Sequence, residues 1–180
     1  MIEKLNRTKR ILEHKGAIVD MYADYIEMPD GRTVQWDYIE HRKGAAAVLP
    51  VLANGNLLLV KQYRNALDRM TIEIPAGSRD STTEDTMVCA KRELEEETGY
   101  RCEKIEKLLS IKTTVAFCNE FIDIYLASGL VAGEQKLDED EFIEIIEMSL
   151  DEALELIFAG TMQDSKTVSA ILAYAYRNKS

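Results

Sequence analysis

Apolar and polar positions alternate with a period of two along much of the first half of the chain, and this rhythm predicts strands. Ala17–Met28 carries Ile18, Val19, Met21, Tyr22, Tyr25 and Ile26, and ends in the turn Pro29-Asp30-Gly31. Thr33–Glu40 then completes a hairpin. Ala45–Ala53 and Leu57–Arg64 are apolar runs joined through Asn54-Gly55, one of the strongest short hairpin signals. Ile72-Glu73-Ile74 reads as a short strand broken by Pro75-Ala76-Gly77. Further strands are expected near Ile105–Ile111, Phe121–Leu126 and Phe142–Met148.

The period changes to that of a helix over Thr83–Thr98. Ser81, Thr82 and Thr83 offer N-caps, and Glu84 and Asp85 suit the positive end of the helix dipole. Met87, Ala90 and Leu94, with Cys89 beside them, make the apolar stripe, and Gly99 ends the helix. Asp151–Phe158 and Ser165–Arg177 read as closing helices. Strands first, one central helix, more strands and then helices suggest a mixed α+β sandwich.

Bulk properties narrow the function. At 180 residues, with 46% hydrophobic and 30% charged positions, the chain fits one globular domain or one domain plus a small extension. A formal net charge of −10 disfavours nonspecific nucleic-acid binding and anionic membranes, and an anionic substrate would need local cations. Cys89, Cys102 and Cys118 leave an odd thiol without metal-ligand spacing, which reads as reduced cytosolic cysteines. Met1–Arg10 is charged, and the longest apolar stretch, Ala45–Ala53, is too short to span a bilayer. The expectation is a cytoplasmic protein without nucleic-acid or membrane partners.

Candidate chemistry lies in the central helix. Glu93, Glu96 and Glu97 share one face, because they are spaced i, i+3 and i+4. Like charges so placed cost a few tenths of a kcal/mol per pair. A hard divalent cation would neutralise them; a solvated acidic face paired with lysines is the bland alternative.

The wider pattern favours the cation. Gly77, Glu84 and Arg92-Glu93-Leu94-Glu95-Glu96-Glu97-Thr98-Gly99-Tyr100 resemble the Nudix signature G-x5-E-x7-R-E-U-x-E-E-x-G-U, where U is apolar. By residue frequencies, the Arg92–Tyr100 match arises by chance about once in ten million positions. One departure is that six residues, Ser78–Thr83, separate Gly77 from Glu84. Lys61–Arg64, Glu73–Gly77, Phe117–Glu120, Asp138–Glu144 and Ser149–Ala153 extend the resemblance to the ADP-ribose pyrophosphatase branch of the Nudix hydrolases.

That resemblance implies a Nudix-type α/β/α sandwich with an N-terminal β-hairpin extension. Residues 1–42 would serve dimerisation and residues 43–180 would form the hydrolase domain. It implies magnesium, with manganese as a substitute, held by Glu93, Glu96, Glu97, Glu141 and the Ala76 carbonyl. Arg92 would orient a glutamate, Glu84 would anchor the preceding loop, and Glu139 would be the general base. Arg64, Glu73, Trp36 and Arg42 would bind substrate.

ADP-ribose is the leading substrate, and GDP-mannose or another nucleoside diphosphate sugar the competitor. Val115 stands where that branch often has proline. A non-catalytic nucleotide-sugar sensor is the reading from another class. The hairpin's apolar positions Val19, Met21, Tyr25, Ile26, Val34 and Trp36 exceed what an isolated ribbon can bury. As in the resembling family, they imply a homodimer whose N-terminal strands line the partner's pocket.

Overall fold

The computed structural model describes residues 4–137, 139 and 141–178. Its elements run β1 (Asn6–Lys15), β2 (Val19–Glu27), β3 (Thr33–His41), β4 (Ala45–Pro50), β5 (Leu57–Arg64), β6 (Arg69–Glu73), β7 (Ala76–Ser78), α1 (Thr86–Thr98), β8 (Tyr100–Lys112), β9 (Phe121–Ala132), β10 (Glu144–Met148), α2 (Leu150–Phe158) and α3 (Ser165–Asn178). They form three sheets, in the orders β1-β2-β3, β10-β5-β6 and β7-β4-β9-β8.

The core is built on β4, which is buried along its whole length. Period-two alternation sends its side chains to opposite faces. Ala45, Ala47 and Leu49 pack with Ile122 and Ile124 of β9, Ala153 of α2, and Ala170 and Ile171 of α3. Ala46 and Val48 pack with Tyr125 and Ala127 of β9 and with Cys89, Ala90 and Leu94 of α1. A strand flanked by helices must be apolar on both faces, which explains the unbroken run at Ala45–Leu49. The result is an α+β arrangement with α1 on one side of the sheet and α2 and α3 on the other.

Three expectations are corrected. The Asn54-Gly55 turn forms, with Leu52 N donating to Asn56 O at 2.8 Å, but it does not join two paired strands. After the single bridge Val51↔Leu57 the strands part, β4 to pair with β7 and β9, β5 to pair with β6 and β10. Burial of β4 between two helix layers outweighs the local hairpin preference.

The N-terminal ribbon has three strands, because Asn6–Lys15 pairs antiparallel with β2. It shows no apolar alternation, and polar contacts hold it. Arg10 grips Asp24 through two hydrogen bonds of 2.5 and 2.6 Å, and its guanidinium lies 3.6 Å from the Tyr38 ring centroid. A cation over an aromatic face contributes about 0.5–2 kcal/mol.

Helix α1 starts at Thr86, later than its hydroxyl-rich approach suggests. Asp85 is the N-cap, its side chain accepting from Met87 N at 2.8 Å. Ser81 instead closes a turn by accepting from Thr83 N and Glu84 N.

Strand limits also move. β8 begins at Tyr100 and β9 runs to Ala132, extending both beyond their apolar cores. β10 begins at Glu144, leaving Phe142 exposed.

Gly99 caps α1 in the left-handed conformation, φ 74°, with its N–H donating to Glu95 O. A Cβ there would also meet Gln135 N at 2.7 Å. A non-glycine residue in this conformation costs about 1–2 kcal/mol before any contact is counted. Gly99→Ala should therefore lower unfolding free energy by about 2 kcal/mol in urea titrations. A loss below about 0.5 kcal/mol, the scatter of ordinary surface changes, would remove this account of the helix end.

Candidate active site

The helix spacing delivers what it predicts. Glu93 and Glu97 project from α1 toward the turn at Ala76–Ser78 and are 7% and 3% exposed, while Glu96 is half-exposed at the mouth of the cleft. Ala76 N donates to Glu97 Oε2 at 3.2 Å. A Cβ at position 77 would meet the Glu93 carboxylate, so Gly77 lets that carboxylate lie against the backbone.

Burial sets the charge state of this pair. Desolvation, with Glu96 and Glu141 adding like charge against the opposing pull of Arg92, pushes the Glu93 carboxyl up to about 7. Desolvation and the neighbouring Glu93 push Glu97 up to about 8. Two buried carboxylates that resist ionisation side by side are a site that a cation would relieve, and the donors are all oxygen, as a hard divalent ion requires.

Arg92 sits among the acids as expected. Its Nη1 donates to Glu93 Oε1 at 2.7 Å and to Glu96 Oε2 at 2.9 Å, and its Nη2 to Ser78 O at 3.1 Å. Glu84 lies 3.5 Å from Arg92 Nε and accepts from Asp80 N at 2.6 Å, so it ties the loop to the helix. Among the described residues, no three acidic, histidine or cysteine side chains converge as a ready-made metal cage. Arg92 already occupies oxygens of Glu93 and Glu96, and a bound cation would draw on those same oxygens.

Glu93, Glu96 and Arg92 line a cleft of about 570 Å³ with Arg64, Gly77, Ser78, Lys136, Glu141 and Phe142. A second cavity of about 440 Å³ shares Arg64, Gly77 and Ser78 with it and reaches Glu120, Asp164 and Lys166. Arg64 stands where the two meet.

Glu73 lines the second cavity beside Arg64. It is 2% exposed, accepting from Arg64 Nε at 2.7 Å, Arg64 Nη2 at 2.6 Å, Lys166 Nζ at 2.6 Å and Thr71 Oγ1 at 2.6 Å. Through these contacts it anchors Arg64 at the edge of that cavity. Burial alone would raise its carboxyl, but the Arg64 fork and Lys166 overcome this and hold it down at about 2.

Arg42 is engaged elsewhere. It pairs with Asp20 and donates to the carbonyls of Gly16 and Ala17, closing the β1–β2 turn. Trp36 lines a separate cleft with Met21, Ile39 and Phe117, away from the glutamates of its own chain.

The acidic loop divides. Glu141 lines the glutamate cleft, whereas Glu139 is exposed on a turn and is not among the lining residues. Asp138 and Asp140, part of the quoted resemblance, lie outside the described residues. Val115 is exposed in a turn closed by Cys118 N donating to Thr114 O at 3.0 Å, so this turn forms without proline.

Sequence reasoning missed Lys166 and Asp164. Asp164 caps α3 by accepting from Thr167 N at 3.1 Å, and from that first turn Lys166 reaches Glu73. The capping signal of Asp164 was available; the direction taken by Lys166 was not.

An acidic helix packed against a glycine turn, with an arginine among its carboxylates, defines the class, and comparison with known proteins agrees. A family model described as the NUDIX domain matches residues 41–170, and the chain belongs to the Nudix hydrolase family.

It is 43% identical over 171 residues to a methanol dehydrogenase activator of Bacillus methanolicus, covering 94% of this chain and 90% of that one. It is 40% identical over 158 residues to an ADP-ribose pyrophosphatase of Bacillus subtilis (strain 168), covering 87% and 84%. A GDP-mannose pyrophosphatase of Cronobacter sakazakii is 34% identical over 150 residues, covering 77% and 78%. The crystal structure of an ADP compounds hydrolase superposes with a TM-score of 0.86 over 99% of this chain and 96% of that one, at 18% identity, which supports the fold.

The depressed Glu73 carboxyl has a consequence for stability. Its folded value lies below the ordinary value near 4.3, so its contribution is present above that pH and lost as pH falls toward 2. The loss should reach about 3 kcal/mol by linkage, read as a falling urea midpoint between pH 5 and pH 2. Glu73→Gln should flatten that part of the profile while destabilising the protein at pH 7, because Lys166 and Arg64 lose their shared anion. An unchanged profile in the variant would assign the acid sensitivity to other groups.

Proposed function

We propose that the protein is a divalent-cation-dependent hydrolase that cleaves the pyrophosphate bond of ADP-ribose to AMP and ribose 5-phosphate. The observation that carries this reading is the buried Glu93–Glu97 pair, whose Glu93 lines a cleft shared with Arg64. Magnesium is the natural cation for carboxylates plus substrate phosphates, with manganese able to replace it. Glu93, Glu96, Glu97, Glu141 and the Ala76 carbonyl would hold it. There it supplies positive charge against the pyrophosphate oxygens and acidifies the attacking water.

The protein's own groups do the remaining work. Arg64, braced by Glu73 through Nε and Nη2, meets substrate phosphate with the part of its guanidinium outside that ion pair. Arg92 and Ala76 N keep the glutamates oriented. A water oxygen bonds to one phosphorus as the bond to the bridging oxygen breaks. The water proton passes to Glu139, and the bridging oxygen leaves on the second phosphate. Retention of Glu93, Glu96, Glu97 and Arg92 speaks against a non-catalytic sensor.

Residues 1–42 are proposed as a dimerisation extension to the hydrolase domain at 43–180, in a homodimer. Val19, Met21 and Trp36 stay exposed on the three-stranded sheet, and Trp36 with Phe117 lines a cleft of about 620 Å³ that a partner's nucleotide could enter. Three unpaired cysteines suit the cytoplasm, and among the described residues no helix is long and apolar enough to cross a membrane. A second reading rests on the 43% identical relative: activation of a methanol dehydrogenase, tested by adding the chain to that enzyme and following alcohol oxidation.

Turnover of ADP-ribose, GDP-mannose and other nucleoside diphosphate sugars with magnesium tests the main reading. ADP-ribose should give the highest kcat/KM, and a clear preference for GDP-mannose would replace it. Glu97→Gln should cut kcat at least about a hundredfold with circular dichroism unchanged. Glu139→Gln should lower kcat more than it raises KM. If Glu139→Gln is silent and Glu141→Gln severe, the base is not Glu139. Light scattering should give twice the 20.4 kDa chain mass. Deletion of residues 1–40 should abolish dimer and activity together, and an active monomer would end the shared-pocket model.

A further inference from the structure

The end of α1 is completed by chain that follows it at a distance in sequence. A helix leaves its last carbonyls without partners inside the helix. In α1 the Glu95 carbonyl accepts the Gly99 N–H at 2.8 Å. The next two are taken by the segment after β9. Lys136 N donates to Glu96 O at 2.9 Å, and Gln135 Nε2 donates to Glu97 O at 2.6 Å. The same Gln135 nitrogen lies 3.5 Å from the Ile143 carbonyl, on the far stem of the acidic loop.

Close backbone packing keeps these groups in place. A Cβ on Gly99 would meet Glu134 C at 2.9 Å, and one on Gly133 would meet Gly99 O at 2.8 Å. Glu96 and Glu97 therefore act in two directions: the Glu96 carboxylate lines the cleft and the buried Glu97 carboxylate accepts from Ala76 N, while their carbonyls hold the stem of the loop that brings Glu141 into that cleft. A single side-chain amide touches the glutamate helix and both stems of the loop.

We propose that Gln135 is a positioning residue for the reaction: its amide ties the loop carrying Glu139 and Glu141 to the carboxylate helix and sets where Glu141 stands against Glu93 and Glu97. The kinetic part rests on the pyrophosphatase reading above; the tether itself does not. Gln135 is exposed, so water can satisfy the Glu97 carbonyl when the amide is removed. The fold then loses little while the loop loses its fixed placement. A displacement of about 1 Å in a reacting constellation can cost up to about a hundredfold in rate, so the effect belongs in kcat.

Gln135→Ala removes the side chain, and Gln135→Glu keeps its length but replaces the donor with a carboxylate that the Glu97 carbonyl repels. In metal-free protein, amide exchange at residues 134–137 and 141–143 should accelerate in both variants while the interior amides of α1 keep their protection. With ADP-ribose and magnesium, kcat should fall about tenfold and KM change less than about twofold, the pattern of an interaction felt in the transition state. In a Glu141→Gln background, Gln135→Ala should add less than about a twofold further loss, because the two act through one placement. Unchanged exchange in both variants would overturn the tether, and losses that multiply in the double variant would overturn the coupling to Glu141. If the wild type fails to turn over ADP-ribose, the substrate reading falls, and the exchange experiment still decides the tether.

Discussion

Two carboxylates held out of water on one helix face set the terms for the rest of the cleft. Glu93 and Glu97 are desolvated and adjacent, and each raises the cost of ionising the other. Everything around them manages that cost. Arg92 draws on Glu93 and Glu96, Ala76 N on Glu97, and Gly77 leaves room for the Glu93 carboxylate by having no side chain. An ion able to replace this internal neutralisation with stronger charge is the complement to the arrangement. The protein stores in its own fold an unfavourable charge distribution that becomes favourable on binding.

The second anionic centre is managed in the opposite way. Glu73 is as buried as Glu97, yet it stays ionised because Arg64 and Lys166 converge on it from β5 and α3. Burial raises both carboxyls, and the cations within reach of Glu73 reverse its direction. Arg64 links the two centres: braced by Glu73 on one side, it opens onto the glutamate cleft on the other. A guanidinium fixed in this way loses less freedom on meeting a phosphate than a free surface arginine would.

How far the sequence could be read follows from what each element depends on. The face of α1 was legible because helical spacing alone aligns Glu93 with Glu97 and Ala90 with Leu94. The β4 and β5 runs were legible as strands, but their separation into different sheets was not. It depends on β9 lying against β4 in parallel, a contact between residues about 77 apart in the chain. Strand β1 was invisible because backbone pairing with β2 and polar contacts such as Arg10–Asp24 hold it, and neither leaves a periodic signature. The ion-pair partners of Arg42 and Glu73 were not legible, since a charged residue in a sequence does not announce which opposite charge it will meet. Gln135 gave no signal, as a glutamine in a polar loop fits no pattern.

The borrowed cap on α1 also bears on the order in which the molecule forms. Most of that helix can hydrogen-bond as soon as its own residues are present, but the Glu96 and Glu97 carbonyls meet their protein partners only once the long β8–β9 ribbon has been laid down and the chain has returned with Gln135 and Lys136. Closing such a contact requires the intervening loop to be ordered first, which places it late among the steps of folding. The last carbonyls of the carboxylate helix and the stem of the acidic loop are therefore satisfied by the same contacts. A partly folded chain presents neither a finished cluster of acids nor a positioned loop, and the chemistry appears only with the complete tertiary structure.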